Sequence, residues 1–68
     1  MEKIKIEGEF IKLDSLLKFA GLVETGGHAK MEILSGSVFV NGEVCLMRGK
    51  KIKSGDIVCF DGKEIVVE

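Results

Sequence analysis

This chain predicts an α+β domain, on three observations. Its first residues alternate charged and apolar side chains, and two glycine-bounded stretches with helical apolar spacing follow. From Ser37 the period returns to two, broken by Asn41-Gly42 and Asp61-Gly62. Helices gathered ahead of a run of short strands predict two N-terminal helices packed on a small, mainly antiparallel, strongly twisted sheet of about four to five short strands.

The elements follow in order. Lys3, Ile4, Lys5 and Ile6 alternate as a strand with one wet face does, and Gly8 ends it. Asp14 is placed to cap the first helix with its carboxylate. Leu13, Leu16, Leu17 and Ala20 form its apolar stripe, Lys18 falls toward solvent, and Gly21 supplies the left-handed stop. Thr25 opens the second helix as a hydroxyl cap, with Ala29, Ile33 and Leu34 facing inward and Gly36 closing it. Val38 and Val40 then alternate with Ser37 and Phe39, and the expected job of Phe39 is to cover the helices. Asn41-Gly42 is a two-residue hairpin signal leading into a return strand from Glu43 to Leu46. Ile52 is the apolar anchor of the loop that comes next. Ser54-Gly55-Asp56 turns the chain into Ile57–Phe60, and Asp61-Gly62 joins that strand to Lys63–Val67.

Size narrows the classes. At 68 residues the chain is a single domain, 1–68. A domain this small buries only about 60% of its unfolded surface, so nearly every apolar residue is needed for packing. A large cofactor pocket would hollow that core, and no cofactor is expected. Two cysteines, Cys45 and Cys59, sit in apolar runs and read as small hydrophobes. A zinc site needs about four ligands, which one His and two isolated Cys do not supply. The start lacks the apolar run of a signal peptide, and no stretch approaches the roughly 18 apolar residues of a membrane span. The expectation is a cytoplasmic monomer.

Charge is unevenly spread. The net charge is -1, yet residues 44–55 carry four cations and no acid. Segregation of this kind speaks about a partner rather than the fold, and it points to a polyanion. Arg48, Lys50, Lys51 and Lys53 are the leading candidates for phosphate contact, with Gly49 giving the loop freedom to follow a backbone. A second candidate is the start of the second helix. Unpaired N–H groups and the positive end of the helix dipole favour an anion there. Thr25, Gly26 and Gly27 leave the main chain open to close approach, and Lys30 adds a charge one turn on. His28 is a stacking or hydrogen-bonding candidate, and Lys12 and Lys18 are outer phosphate contacts. No nucleophile–base arrangement, paired carboxylates in a pocket or phosphate-cradling nucleotide loop is visible, so the chain reads as a non-enzyme.

These motifs come in a recognisable order. Lys12-Leu13-Asp14, Leu17, Gly21-Leu22 and Thr25-Gly26-Gly27-His28-Ala29-Lys30 are followed by Gly36-Ser37-Val38-Phe39-Val40-Asn41-Gly42 and Lys53-Ser54-Gly55-Asp56-Ile57-Val58. The series resembles the RNA-binding domain named after small-subunit ribosomal protein S-four, the αL motif, over about residues 10–60. It is most similar to the small stand-alone bacterial members of the YaaA/YbcJ-like kind. The resemblance implies binding of structured, ribosomal RNA through the helix starts and the basic loop, with a role in ribosome assembly or translation. Where many members carry arginine, this chain has Lys12 and Gly26.

Two other readings stay open on the residues alone. Val-Asn-Gly-Glu-Val with Gly-Asp-Ile-Val also resembles part of a ubiquitin-like sulfur carrier, although such carriers end in Gly-Gly and this chain ends Val66-Val67-Glu68. A protein-interaction module could use the same basic loop against an acidic surface.

Overall fold

A computed structural model describes residues 2–68. The elements run β1 (Glu2–Ile4), β2 (Ile11–Lys12), α1 (Leu13–Phe19), α2 (Gly26–Leu34), β3 (Val38–Val40), β4 (Glu43–Val44), β5 (Lys51–Ile52), β6 (Ile57–Phe60) and β7 (Lys63–Val67). Five strands form one sheet in the order β1-β7-β6-β3-β4, and β2 with β5 makes a separate two-stranded ladder. Among the described residues β1 and β7 pair in parallel, and the other pairings are antiparallel. Two helices on a mixed five-stranded sheet make this the α+β fold that the sequence predicts.

The hairpins obey local chemistry. Asn41 and Asp61 both adopt φ 52, and Gly42 and Gly62 follow at 86 and 76. Consecutive positive φ values give the turn whose twist matches paired strands, and Asn-Gly and Asp-Gly tolerate them best. Each helix closes as predicted, Gly21 at φ 76 and Gly36 at φ 84. Leu22 N–H donates to Leu17 O and Gly21 N–H to Lys18 O, and Ser37 and Gly36 repeat the pattern onto Glu32 and Ile33. That is the paired-bond stop that left-handed glycine allows.

The core lies between the helices and one sheet face. Leu13, Leu16 and Leu17 from α1, with Ala29 and Ile33 from α2, are fully buried. They meet Ile4, Val38, Val40, Val58, Phe60, Ile65 and Val67 in one cluster. Register explains the sheet's contribution: Val38 faces Phe60, Val40 faces Val58, Val58 faces Ile65 and Ile4 faces Val67, all on the helix side. Each large aliphatic side chain buried here contributes about 1.5–3 kcal/mol.

Several expectations need correction. Leu34 is 56% exposed, because α2 turns only the Ala29–Ile33 edge inward. Phe39 is partnered by Val44 and Cys59 on the outer sheet face, so it covers no helix. The return strand stops at Val44, and Leu46 and Met47 are exposed where the chain leaves the sheet for α1. The N-terminal strand ends at Ile4, short of the alternation that runs on to Ile6; all three of its residues pair with β7, and Ile4 is the one it buries. Cys45 and Cys59 are free and half-buried, and Cys45 packs against the core. Among the described residues no helix is long and apolar enough to cross a membrane.

Candidate nucleic-acid interface

The basic segment is held by main-chain atoms. Lys50 N–H donates to Met47 O at 3.1 Å, closing a tight turn with Arg48 and Gly49 at its corner. That turn presents its carbonyls to the start of α1: Leu13 N–H reaches Lys50 O at 2.9 Å and Asp14 N–H reaches Arg48 O at 3.1 Å. A helix start leaves its first N–H groups without intrahelical acceptors, and here the turn supplies them. This overturns the expected Asp14 cap. The preceding residue is Lys12 in extended backbone, with no side-chain cap. Asp14 instead accepts the N–H of its neighbour Ser15 at 2.7 Å. The turn is also no freely moulding loop. Ile52, fully buried, pins its far end as expected.

The ladder below the turn brings two lysines together. β2 and β5 pair with Ile11 opposite Ile52 and Lys12 opposite Lys51. Both lysines are exposed. Like charges facing one another across an antiparallel pair cost about 0.2–1 kcal/mol. Among the described residues, neither lysine, nor Arg48, has a carboxylate at ion-pair distance; the single such contact joins His28 Nε2 and Glu32 Oε2 at 3.9 Å. A Cβ added at Gly49 would meet nothing within 4 Å, leaving the corner open to a large ligand.

Lys50 and Lys53 sit in a different field. Asp56 accepts the main-chain N–H of Lys53 at 2.8 Å and the Asn41 amide at 3.1 Å. Those bonds, first that from Lys53, with the nearby charges of Lys50 and Lys53, hold the Asp56 carboxyl below its ordinary value against the opposing effect of partial burial. Asn41 Oδ1 in turn accepts from Ile57 N–H at 2.9 Å, so its side chain ties the hairpin tip to β6. Lys53 is therefore the most compensated of the candidate cations.

The start of α2 is built otherwise. Thr25, extended at φ -139, accepts His28 N–H on its hydroxyl at 3.0 Å, the predicted cap. Ala29 N–H takes the Thr25 carbonyl at 3.1 Å. The N–H groups of Gly26 and Gly27 have no protein acceptor among the described residues. Neither glycine adopts a left-handed backbone. A Cβ at Gly26 would meet nothing within 4 Å, and one at Gly27 only Thr25 Oγ1 at 3.8 Å. The fold thus has room for alanine at both, and alanine is better in a helix by up to about 1 kcal/mol. A tight chain path does not explain them. Lys30 is exposed one turn further on, and exposed His28 leans toward Glu32.

Two groups of candidates result. Lys12, Arg48, Gly49, Lys50 and Lys51 are assembled at the start of α1, with Lys53 beyond them. Thr25, Gly26, Gly27, His28 and Lys30 are assembled at the start of α2. Among the described residues no hydrogen bond or ion pair joins the groups. In the chain they are separated by α1, about 10 Å long at 1.5 Å per residue, whose last turn carries the exposed Lys18, and by residues 20–25. Sequence reasoning passed over Phe10, whose ring lies beneath Lys51 Nζ at 4.9 Å from the centroid. No period marked it, because Phe10 lies just outside a strand only two residues long.

The family model described as the S4 domain matches residues 4–68, nearly the whole chain. The chain belongs to the S4 domain family. Among its relatives, Bacillus subtilis (strain 168) has a protein named "Probable ribosome maturation protein RlbA". The two are 39% identical over 59 residues, covering 87% of this chain and 83% of that one. YbcJ of Escherichia coli (strain K12) is 39% identical over 57 residues, covering 84% of this chain and 81% of YbcJ. The solution structure of YbcJ, described as revealing an αL motif involved in RNA binding, superposes with a TM-score of 0.75. That match has 34% identity and covers 98% of this chain and 86% of the other. As an S4 domain, with two successive helices ahead of the hairpins, the chain does not favour the ubiquitin-like carrier alternative.

Proposed function

We propose that this chain is a small RNA-binding protein that grips a structured RNA by its phosphate backbone. The observation that carries the reading is the Lys12–Lys51 pair, two like charges held face to face beside Arg48 with no carboxylate partner among the described residues. Folding alone disfavours that arrangement, and a polyanion between the two side chains would reverse its sign. Arg48 offers a planar fork of donors suited to phosphate, while Lys12, Lys50 and Lys51 act as point charges. The open N–H groups of Gly26 and Gly27, with Lys30, would take a further phosphate at the positive end of α2. Lys18, exposed in the last turn of α1, is an outer contact, and Lys53 stands at the margin.

A-form RNA exposes phosphates and 2′-hydroxyls across a shallow groove and is read mainly by shape, which suits two cationic groups on a rigid support. The finer reading is ribosomal RNA during ribosome maturation. It is supported by the names and described motif of the B. subtilis and E. coli relatives.

A salt titration with a folded ribosomal RNA fragment tests this. Each phosphate contact should contribute about 0.7–0.9 to the slope of log affinity against log salt. Changing Arg48, Lys50 and Lys51 together to Ala should remove about three contacts, weaken binding about 100-fold at 0.1 M salt and leave the circular dichroism spectrum unaltered. Salt-independent binding, or a triple variant that binds as the parent does, would refute the proposal. Co-sedimentation with subunit precursors rather than mature ribosomes would support the maturation role.

A further inference from the structure

Phe10 does no work in the core. It is 39% exposed and stands outside the buried cluster and the residues packed on it. That is a notable use of an aromatic in a chain with four Phe and no Trp or Tyr. Phe10 lies just before β2, two residues ahead of Lys12, whose ladder partner is Lys51. Lys51 Nζ rests over the ring at 4.9 Å from its centroid.

The other exposed phenylalanines have different settings. Phe19 ends α1, away from the basic turn, and Phe39 lies on the outer sheet face between Val44 and Cys59. Among the described residues, Phe10 is the aromatic with a cation over its ring.

We infer that Phe10 is a stacking platform for one unpaired base of the bound RNA. The preferred ligand class is then a folded RNA with an extruded or loop nucleotide beside its paired phosphates, not an uninterrupted duplex. The inference rests on the RNA-binding reading above. The attraction of an exposed lysine to a ring is weak. A phosphate carries a full negative charge, so it draws the Lys51 ammonium off the ring and leaves that face bare. A base laid there keeps the ring covered, while Lys51 holds the phosphate of the same or the neighbouring nucleotide. Every base has a π-face, so the platform selects for an unpaired nucleotide rather than for a particular base.

Two RNAs of one stem sequence decide the matter, one fully paired and one carrying a single bulged 2-aminopurine. The wild-type protein should bind the bulged RNA more tightly and quench its fluorescence. Phe10→Ala and Phe10→Leu should lose about tenfold for the bulged RNA, within the range found for one base on an aromatic side chain, and nothing for the duplex. Phe10→Trp should retain the preference, and the single Trp it introduces should itself be quenched on binding. Equal binding of both RNAs by the wild type, or Phe10→Leu matching it on the bulged RNA, would overturn the platform and leave the phosphate-binding reading standing. Wild-type protein that binds neither RNA would overturn both.

Discussion

The two helices begin in opposite ways. At α1 the first N–H groups are taken by Lys50 and Arg48 carbonyls, so that start is closed and serves to position the basic turn. At α2 the Thr25 hydroxyl takes one N–H and two glycines leave theirs open, without any demand from backbone angle or space. One physical device, the donor-rich end of a helix, is spent on architecture in the first case and left open in the second. The comparison teaches that a helix start is read by what already occupies it, not by the sequence around it alone.

Four measurements would break or sharpen that contrast. The largest effect is expected from Ile52→Ala, which empties the buried anchor of the turn. Urea unfolding should show a loss of about 2–5 kcal/mol, and hydrogen exchange at Leu13 and Asp14 should accelerate more than at His28. Asp56→Ala removes the acceptor of the Lys53 and Asn41 bonds and should cost about 1–3 kcal/mol. Here the sign with pH is fixed. The folded-state value of Asp56 lies below its ordinary one, so the unfolded chain takes up the proton first as acid is added. The stabilisation is present above about pH 4 and disappears as pH falls through the folded value, a component that Asp56→Asn should lack.

Smaller effects separate the uses of the two starts. Gly26→Ala should raise stability by about 0.4–1 kcal/mol in thermal unfolding while lowering RNA affinity, because the added methyl faces the open N–H groups. Lys12→Gln should raise stability by a few tenths of a kcal/mol by relieving Lys51, and the salt slope should fall by about 0.7–0.9. A glycine or lysine variant whose stability and affinity move together would erase the distinction.

Local chemistry made much of this fold legible. Asn41-Gly42 and Asp61-Gly62 have few alternatives to their turns, Gly21 and Gly36 mark the helix ends, and the Thr25 cap is a contact over three residues. The start of α1 was not legible in that way. Its acceptors are carbonyls from the far side of the hairpin, and every residue type has a carbonyl. The β2–β5 ladder is two residues long on each side, too short for any period to show, so the meeting of Lys12 with Lys51 lay hidden although both were recognised as candidates. Leu34 was misread because helical spacing defines a stripe but not its width. Phe39 was read correctly as opposite to Val38 and Val40, yet which sheet face the helices would cover is a tertiary matter.

The clasp between the Met47–Lys50 turn and α1 has a consequence for how such a surface can diversify. Since the attachment uses amide and carbonyl groups alone, the side chains at Arg48 and Gly49 are interchangeable without loosening their mount, with proline at Leu13 or Asp14 the obvious prohibition. New ligand preferences could be grafted onto that corner by exchanging those residues, in the laboratory or by descent, while the platform beneath them stays put.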